Sequence, residues 1–248
     1  MNSATAQRLI AINREFYDRF GPSFSATRRR VQPGVRRILG MLLGNEAILD
    51  LGCGNGELAR ELSRRQHLGR YLGIDFSQPM LREAELAALS VSARFLVADL
   101  TTLAEAGGRT ADRYSSALRA SSFDIVFAFA ALHHIPGFEL QTRLIGLVHE
   151  LLKSGGRFIH SNWQFLNSRK LSARIQPWAT VGMDDSQMDA GDHLLDWRGG
   201  STGLRYVHQF SEAELSRLAA EGGFQVQDSF YSDGDGGRLG LYQVWLKA

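Results

Sequence analysis

Asp50 stands two residues ahead of a run in which Gly52, Gly54 and Gly56 alternate with Cys53 and Asn55. Alternating glycines let a backbone turn sharply and approach a ligand where a Cβ would collide. The dinucleotide spacing is G-x-G-x-x-G, which aims a helix N-terminus at a pyrophosphate. Here the spacing is G-x-G-x-G and an acid precedes it. A carboxylate at that point repels a pyrophosphate and suits a cationic amino group. Asp75 lies 23 positions past Gly52, near the distance at which an acid takes ribose hydroxyls. Asp99 lies 24 positions past Asp75, where it can accept an adenine exocyclic amine while the N–H of Leu100 meets a ring nitrogen. Phe76 and Met80 are placed to flank that adenine. The alternative for each acid is a turn or helix cap, and Asp75-Phe76-Ser77 could be one. Together the residues outline a pocket for a nucleoside with a cationic tail.

A regular alternation of strands and helices must position these groups. Ile48-Leu49-Asp50-Leu51 is a short apolar run bounded by turn residues, a buried parallel strand. From Glu57 the pattern turns helical. Further strands are expected at Tyr71–Ile74, Arg94–Ala98, Phe123–Ala130 and Arg157–Ser161, with helices over 78–89 and 139–152. Lys153-Ser154-Gly155-Gly156 reads as a helix C-cap and turn. Residues 101–121 read as a long loop or irregular helix. The fourth strand runs into His133-His134, which an open α/β sheet brings to its ligand edge. Adjacent histidines without a spaced acid or cysteine cluster do not make a tetrahedral zinc site, so no metal is expected. Ahead of the first strand, residues 5–20 form an amphipathic helix that Gly21-Pro22 should stop, and a second helix spans about Gly34 to Leu43. Residues 162–206 break the rhythm and read as an insertion over the strand ends. Ser211 and Glu214 form a capping box that opens another helix. Phe224–Tyr231 and Leu241–Leu246 make a closing antiparallel hairpin.

With 248 residues, the chain reads as one domain: a helical cap at 1–45, a cofactor-binding core at 46–161, an insertion at 162–206 and a helix with hairpin at 207–248. The lone Cys53 rules out an intramolecular disulfide and reads as a small filler in the loop. No apolar run approaches the ~20 residues of a membrane span, and Met1-Asn2-Ser3-Ala4 has no signal-peptide core, so a cytoplasmic protein is expected. Residues 1–70 hold twelve Arg and six Asp or Glu, a local charge of +6 that could bind polyanions or be a solvated face.

The set Asp50-x-Gly-x-Gly-x-Gly, Asp75, Asp99-Leu100, Leu132-His133-His134 and Leu152-Lys153-Ser154-Gly155-Gly156 resembles the class I S-adenosylmethionine-dependent methyltransferases. That resemblance implies a Rossmann-like seven-stranded α/β sheet in the order 3-2-1-4-5-7-6, the last strand antiparallel. It implies S-adenosylmethionine as cofactor, with S-adenosylhomocysteine as product. It implies a cofactor set of Tyr17, Asp50, Gly52, Cys53, Gly54, Gly56, Asp75, Phe76, Ser77, Met80, Asp99, Leu100, Ala128 and His133. Three further segments are similar to the tRNA wobble-uridine carboxymethyl methyltransferases: Tyr17-Asp18-Arg19-Phe20 through Thr27-Arg28, Gly191-Asp192-His193-Leu194-Leu195-Asp196-Trp197, and Arg205-Tyr206-Val207-His208-Gln209-Phe210. Where that family has an aromatic-proline pair soon after the arginine, this chain has Arg29-Arg30-Val31-Gln32-Pro33. The narrower resemblance implies a tRNA substrate met through the arginine-rich N-terminal region, and a small activating protein partner.

Methyl transfer from a sulfonium is an in-line displacement governed by positioning. A carboxylate acceptor is already anionic near neutral pH and needs a clamp, not a base. Arg28 is the candidate clamp, for acceptor or cofactor carboxylate, because guanidinium binds carboxylate bidentately. His133 would orient the acceptor or the cofactor's methionyl end, with Arg205 and His208 as further catalytic candidates. A phenol or amine acceptor would instead need a histidine base. That keeps a small-molecule O- or N-methyltransferase open as the alternative, beside a non-enzymatic protein that only binds the cofactor.

Overall fold

The computed structural model describes residues 1–26, 30–106, 114, 117–198 and 202–248. In chain order these give α1 (Ser3–Ala26), α2 (Pro33–Leu39), β1 (Ile48–Leu51), α3 (Glu57–Arg64), β2 (Arg70–Asp75), α4 (Gln78–Glu85) and β3 (Ser92–Val97). Then follow α5 (Leu100–Ala106), β4 (Phe123–Phe129), α6 (Phe138–Leu151), β5 (Leu152–Trp163) and the single turn α7 (Arg169–Ser172). The chain closes with β6 (Ile175–Gln176), β7 (Asp192–Arg198), β8 (Thr202–His208), α8 (Glu212–Glu221), β9 (Phe224–Ser232) and β10 (Gly240–Lys247).

The main sheet has seven strands in the order β3-β2-β1-β4-β5-β10-β9. Strands β1 to β5 pair in parallel, and β10 runs antiparallel to both β5 and β9. This is the expected 3-2-1-4-5-7-6 arrangement. All four residues of β1 are buried, as a central parallel strand covered on both faces requires. On one face Leu49, Val126, Phe158 and Trp245 pack with Leu144 and Val148 of α6 and Leu215 of α8. On the other, Ile48, Phe127, Ile159 and Tyr242 pack with Ile38 of α2 and Leu62 of α3.

Several boundaries differ from expectation; α4, for one, ends at Glu85 rather than 89. Gly21-Pro22 does not stop α1, which runs to Ala26. A proline removes one helical hydrogen bond, but here packing just ahead of it holds the helix: Phe16 and Phe20 pack on Trp197, and Gly21 lies against Ser77 and Met80. Helix α2 ends at Leu39 rather than Leu43, because the N–H of Gly40 closes on Arg36 and Arg37 and the chain then leaves Leu43 exposed. Residues 101–121 open with α5, whose start is fixed by the Asp99 carboxylate accepting the Thr101 N–H at 2.8 Å. Lys153–Gly156 belongs to β5 rather than to a separate turn: Gly155 takes φ +71° and the β4–β5 register shifts between Phe123 and Ile125, a bulge at the strand's start.

The insertion is itself a small antiparallel sheet, β6-β7-β8, and extends to His208. Helix α1 docks on it: Leu9 and Ile12 meet Trp178, Leu194 and Tyr206, while Phe16 and Phe20 meet Trp197. Trp178 and Trp197 are thus packing residues. Ile10 on another side of α1 belongs to the main core, so α1 ties the insertion to the sheet. Among the described residues no helix is long and apolar enough to cross a membrane.

Candidate active site

Two cavities open at the carboxyl ends of β1, β2 and β4. The first, about 250 Å³, is lined by Gly52, Cys53, Gly54, Asp75, Phe76, Met80, Asp99 and Leu100, with Asn13, Arg14 and Tyr17 of α1 across it. The second, about 510 Å³, is lined by Asp50, His133, Ser161, Asn162, Trp163, Arg205 and Tyr242, together with Arg30 and Asp233. Tyr17, Gly52, Cys53, Phe129, Ala130 and His134 face both, so the two are neighbouring halves of one crevice.

The glycine loop shapes the floor of the first half. Gly52 and Gly54 take φ +76° and +54°, and a Cβ on Gly52 would stand 2.8 Å from the Ala131 methyl. Only glycine makes this turn while leaving the space above open. Asp75 Oδ2 accepts the Gly54 N–H at 2.8 Å and Oδ1 accepts the Ser77 N–H at 2.9 Å. Asp75 therefore both braces the loop and faces the cavity. Burial raises its pKa, and the backbone N–H groups of Ser77, Gly54 and Phe76 oppose that. Asp99 Oδ2 takes Nε of Arg14 at 2.9 Å and Nη2 at 2.8 Å, while Oδ1 takes Thr101. The acid expected to meet an adenine amine thus also latches α1 over the crevice.

Asp50 is buried on the other side of the loop, and Tyr71 donates its hydroxyl to Oδ2 at 2.6 Å. Burial pushes the Asp50 carboxyl up to about 7, the Tyr71 hydrogen bond works against this, and the nearby Asp75 adds to it. A buried acid poised there gains when a cation arrives. Three acids around a glycine cradle, with Phe76 and Met80 on its wall, supply the acceptors that the amine, ribose and ammonium groups of an S-adenosylmethionine-type ligand require.

The two histidines take different tautomers. His133 Nδ1 accepts the Trp163 N–H at 3.2 Å, which leaves its proton on Nε2 when neutral. His134 Nδ1 lies 3.1 Å from the Tyr206 carbonyl and its Nε2 lies 3.0 Å from the Tyr17 hydroxyl. A carbonyl only accepts, so His134 donates from Nδ1 and accepts the Tyr17 proton at Nε2. The lone pair of each ring is already engaged. Arg205 is buried, with its guanidinium 4.7 Å from the Trp163 ring and 5.6 Å from that of Phe16. Burial lowers its pKa, and the Tyr17 side chain, which it also hydrogen-bonds, raises it. Arg205, Tyr17 and His134 form one polar chain, in which Tyr17 and His134 line both cavities and Arg205 the second.

Not every expected residue comes to the crevice. Arg28 lies outside the described residues. His208 is turned away: its Nδ1 sits 2.7 Å from Asp192, which also takes the Tyr206 hydroxyl, and it lines a separate cavity under α8. Ala128 faces the apolar core beneath the sheet because alternate residues of β4 point to opposite faces. Ser77 is buried at the start of α4 and Gly56 forms the left-handed N-cap of α3; both shape the loop from behind. Sequence reasoning brought His134 to the ligand edge together with His133 but gave no site role to Trp163, Tyr71 or Asn13. Asn13 was detectable as a lone amide on the apolar stripe of α1; its Oδ1 accepts the Tyr206 N–H at 2.8 Å.

Comparison with known proteins bears on this site. A family model described as "Methyltransferase domain" matches residues 23–229. An Encephalitozoon cuniculi protein named as a methyltransferase is 29% identical over 214 residues, covering 86% of this chain and 87% of that one. A Mycobacterium tuberculosis protein named an uncharacterized methyltransferase is 36% identical over 152 residues, 61% of this chain and 68% of its own. The tRNA (carboxymethyluridine(34)-5-O)-methyltransferase of Arabidopsis thaliana is 28% identical over 59% of this chain and 31% of its own. Among solved structures, a Methanosarcina mazei S-adenosylmethionine-dependent methyltransferase aligns with TM-score 0.65 at 22% identity, over 88% of this chain and 98% of that one. A Haloferax volcanii methyltransferase solved with the Trm112 activator aligns with TM-score 0.65 at 17% identity, over 94% and 96%. A Burkholderia thailandensis 1,6-didemethyltoxoflavin N1-methyltransferase with bound S-adenosylhomocysteine aligns with TM-score 0.58 at 20% identity, over 87% and 77%. At these identities the structural likeness is one of fold.

Proposed function

This chain belongs to the methyltransferase-domain family, and on that premise we propose that it methylates a carboxylate oxygen, that of a carboxymethyl group on a tRNA wobble uridine. S-adenosylmethionine, when bound, would supply an electrophilic sulfonium methyl and leave as S-adenosylhomocysteine. Asp75 and Asp99 hold its ribose and adenine, and Asp50 its ammonium group.

The observation that carries the acceptor class is the state of the two histidines. With Nδ1 of His133 engaged by the Trp163 N–H and Nε2 of His134 by the Tyr17 hydroxyl, neither ring turns its lone pair directly to an acceptor in the crevice. A phenol or amine acceptor needs a base; a carboxylate does not. A carboxylate needs donors and positive charge, and Arg205 on the Trp163 face with the Nε2–H of His133 supplies both. Arg28, from the segment preceding α2, is the second candidate clamp.

The tRNA assignment rests on the Arg205-Tyr206-Val207-His208 segment and its two companions, and on the carboxymethyluridine methyltransferase relative. Arg30, exposed and lining the second cavity, and Arg36, exposed on α2, suit a phosphate backbone. Arg14 and Arg37 are instead paired with Asp99 and Asp228, so only part of the N-terminal charge serves that role. An activating protein partner, like the one in the Haloferax complex, is part of this reading. A small-molecule O- or N-methyltransferase is the second reading: a walled cavity of about 510 Å³ is of the size that holds a small ligand.

Arg205→Ala and Arg205→Lys test the acceptor clamp. Methyl transfer should fall by roughly 100-fold in the alanine variant, the cost of losing a buried charge partner, with S-adenosylhomocysteine affinity within about threefold of wild type. Loss of cofactor affinity with turnover preserved at saturation would reassign Arg205 to the cofactor.

A further inference from the structure

Tyr71 is 2% exposed, yet its hydroxyl is not spent on packing. β1 and β2 pair in parallel register, with Ile48 opposite Tyr71 and Asp50 opposite Gly73. Residues paired across neighbouring strands share a face, so Tyr71 and Asp50 stand on the same one, two residues apart along the strand. Gly73, directly opposite Asp50, brings no side chain into the gap, and the Tyr71 phenol reaches along it to Oδ2 at 2.6 Å. The ring itself packs edge-on to Phe95, centroids 5.9 Å apart, a contact that phenylalanine would keep.

Resting on the reading of Asp50 as the ammonium partner, we infer that Tyr71 is a positioning residue for the cofactor: its O–H holds one oxygen of Asp50 so that the other meets the ammonium as part of an anion. The surroundings oppose that anion. Burial and Asp75 both disfavour it, and Tyr71 is the group that favours it. From the elements packed around β1, Cys53 in the loop, Glu57 at the head of α3, His133 beyond β4 and Arg30 ahead of α2 line the same cavity. Arg205 and Asp233 line it as well. A hydrogen bond to a charged group is worth more than one to a neutral group, so removing it weakens the anion selectively.

The test is titration calorimetry of S-adenosylhomocysteine against wild type, Tyr71→Phe and Asp50→Asn between pH 6 and 8.5. Tyr71→Phe should bind roughly tenfold more weakly at pH 7, with the gap narrowing as pH rises and Asp50 ionises without help. Carboxyl carbon-13 titration of the ligand-free proteins should show the Asp50 midpoint moving to higher pH in the variant. Equal affinity at pH 7, or the same loss at every pH, would overturn the inference, the latter marking a packing role. If Asp50→Asn itself binds like wild type, the Asp50 reading fails independently of Tyr71.

Discussion

Asp50 is a buried carboxyl that lines the second cavity and takes the Tyr71 hydroxyl. Its carboxyl is held near 7 in the folded chain, against 3.8 when free. Between those values the folded state binds more protons than the unfolded state, so stability falls as pH rises through the window. A displacement of about three pH units corresponds to up to about 4 kcal/mol. Asp50→Asn should therefore lose that slope and unfold at higher urea than wild type at pH 8, with little difference at pH 4. Parallel stability curves for the two proteins would show that Asp50 ionises as readily in the fold as outside it. The acid and the glycine loop were legible from spacing alone. The tautomers of His133 and His134 were not, because they are set by Trp163 and Tyr17, which the fold brings from 30 and 117 positions away.

Two elements do the positioning. Helix α1 is pinned to the insertion where Gly203 leaves room for the rings of Phe20 and Phe16; a Cβ there would stand 2.5 Å from Phe20. Gly203→Ala should cost about 1–3 kcal/mol, the usual penalty of overpacking, and loosen α1 over the crevice, read as a lower urea midpoint and faster amide exchange in α1. The Arg14–Asp99 latch is a milder device, since the Arg14 side chain is half exposed and such pairs contribute about 1 kcal/mol or less. Arg14→Ala should weaken S-adenosylhomocysteine binding by less than about fivefold, and less still in high salt. Helix α8 carries the capping box anticipated in the sequence, Ser211 accepting the Glu214 N–H at 3.2 Å. Strands and helices of the sheet were legible because their periods are strong. The end of α1 and the start of β5 were not, because tertiary burial overrode Pro22 and a bulge absorbed Gly155.

At the scale of the molecule, the seven-stranded sheet is a platform whose ligand edge is roofed by α1 and the β6-β7-β8 sheet. The order of strands was readable once the motifs were matched to a known family. That the insertion forms its own sheet was not, since β7 and β8 are joined across residues 199–201 and their pairing partners carry no distinct spacing signal. A ligand that binds only the folded state stabilises it by mass action, about 2.7 kcal/mol at a hundredfold excess over Kd. For a domain of this size S-adenosylhomocysteine should then raise Tm by roughly 5–10 °C, and the rise should vanish in Asp75→Ala. Methyl transfer from methyl-labelled S-adenosylmethionine to bulk tRNA reads the acceptor itself. Label should enter tRNA, mild base should release it as methanol, the mark of a methyl ester, and Arg205→Ala should lose it. Base-stable label, or label that enters small molecules of a cell extract while tRNA stays unlabelled, would contradict a carboxylate acceptor on tRNA.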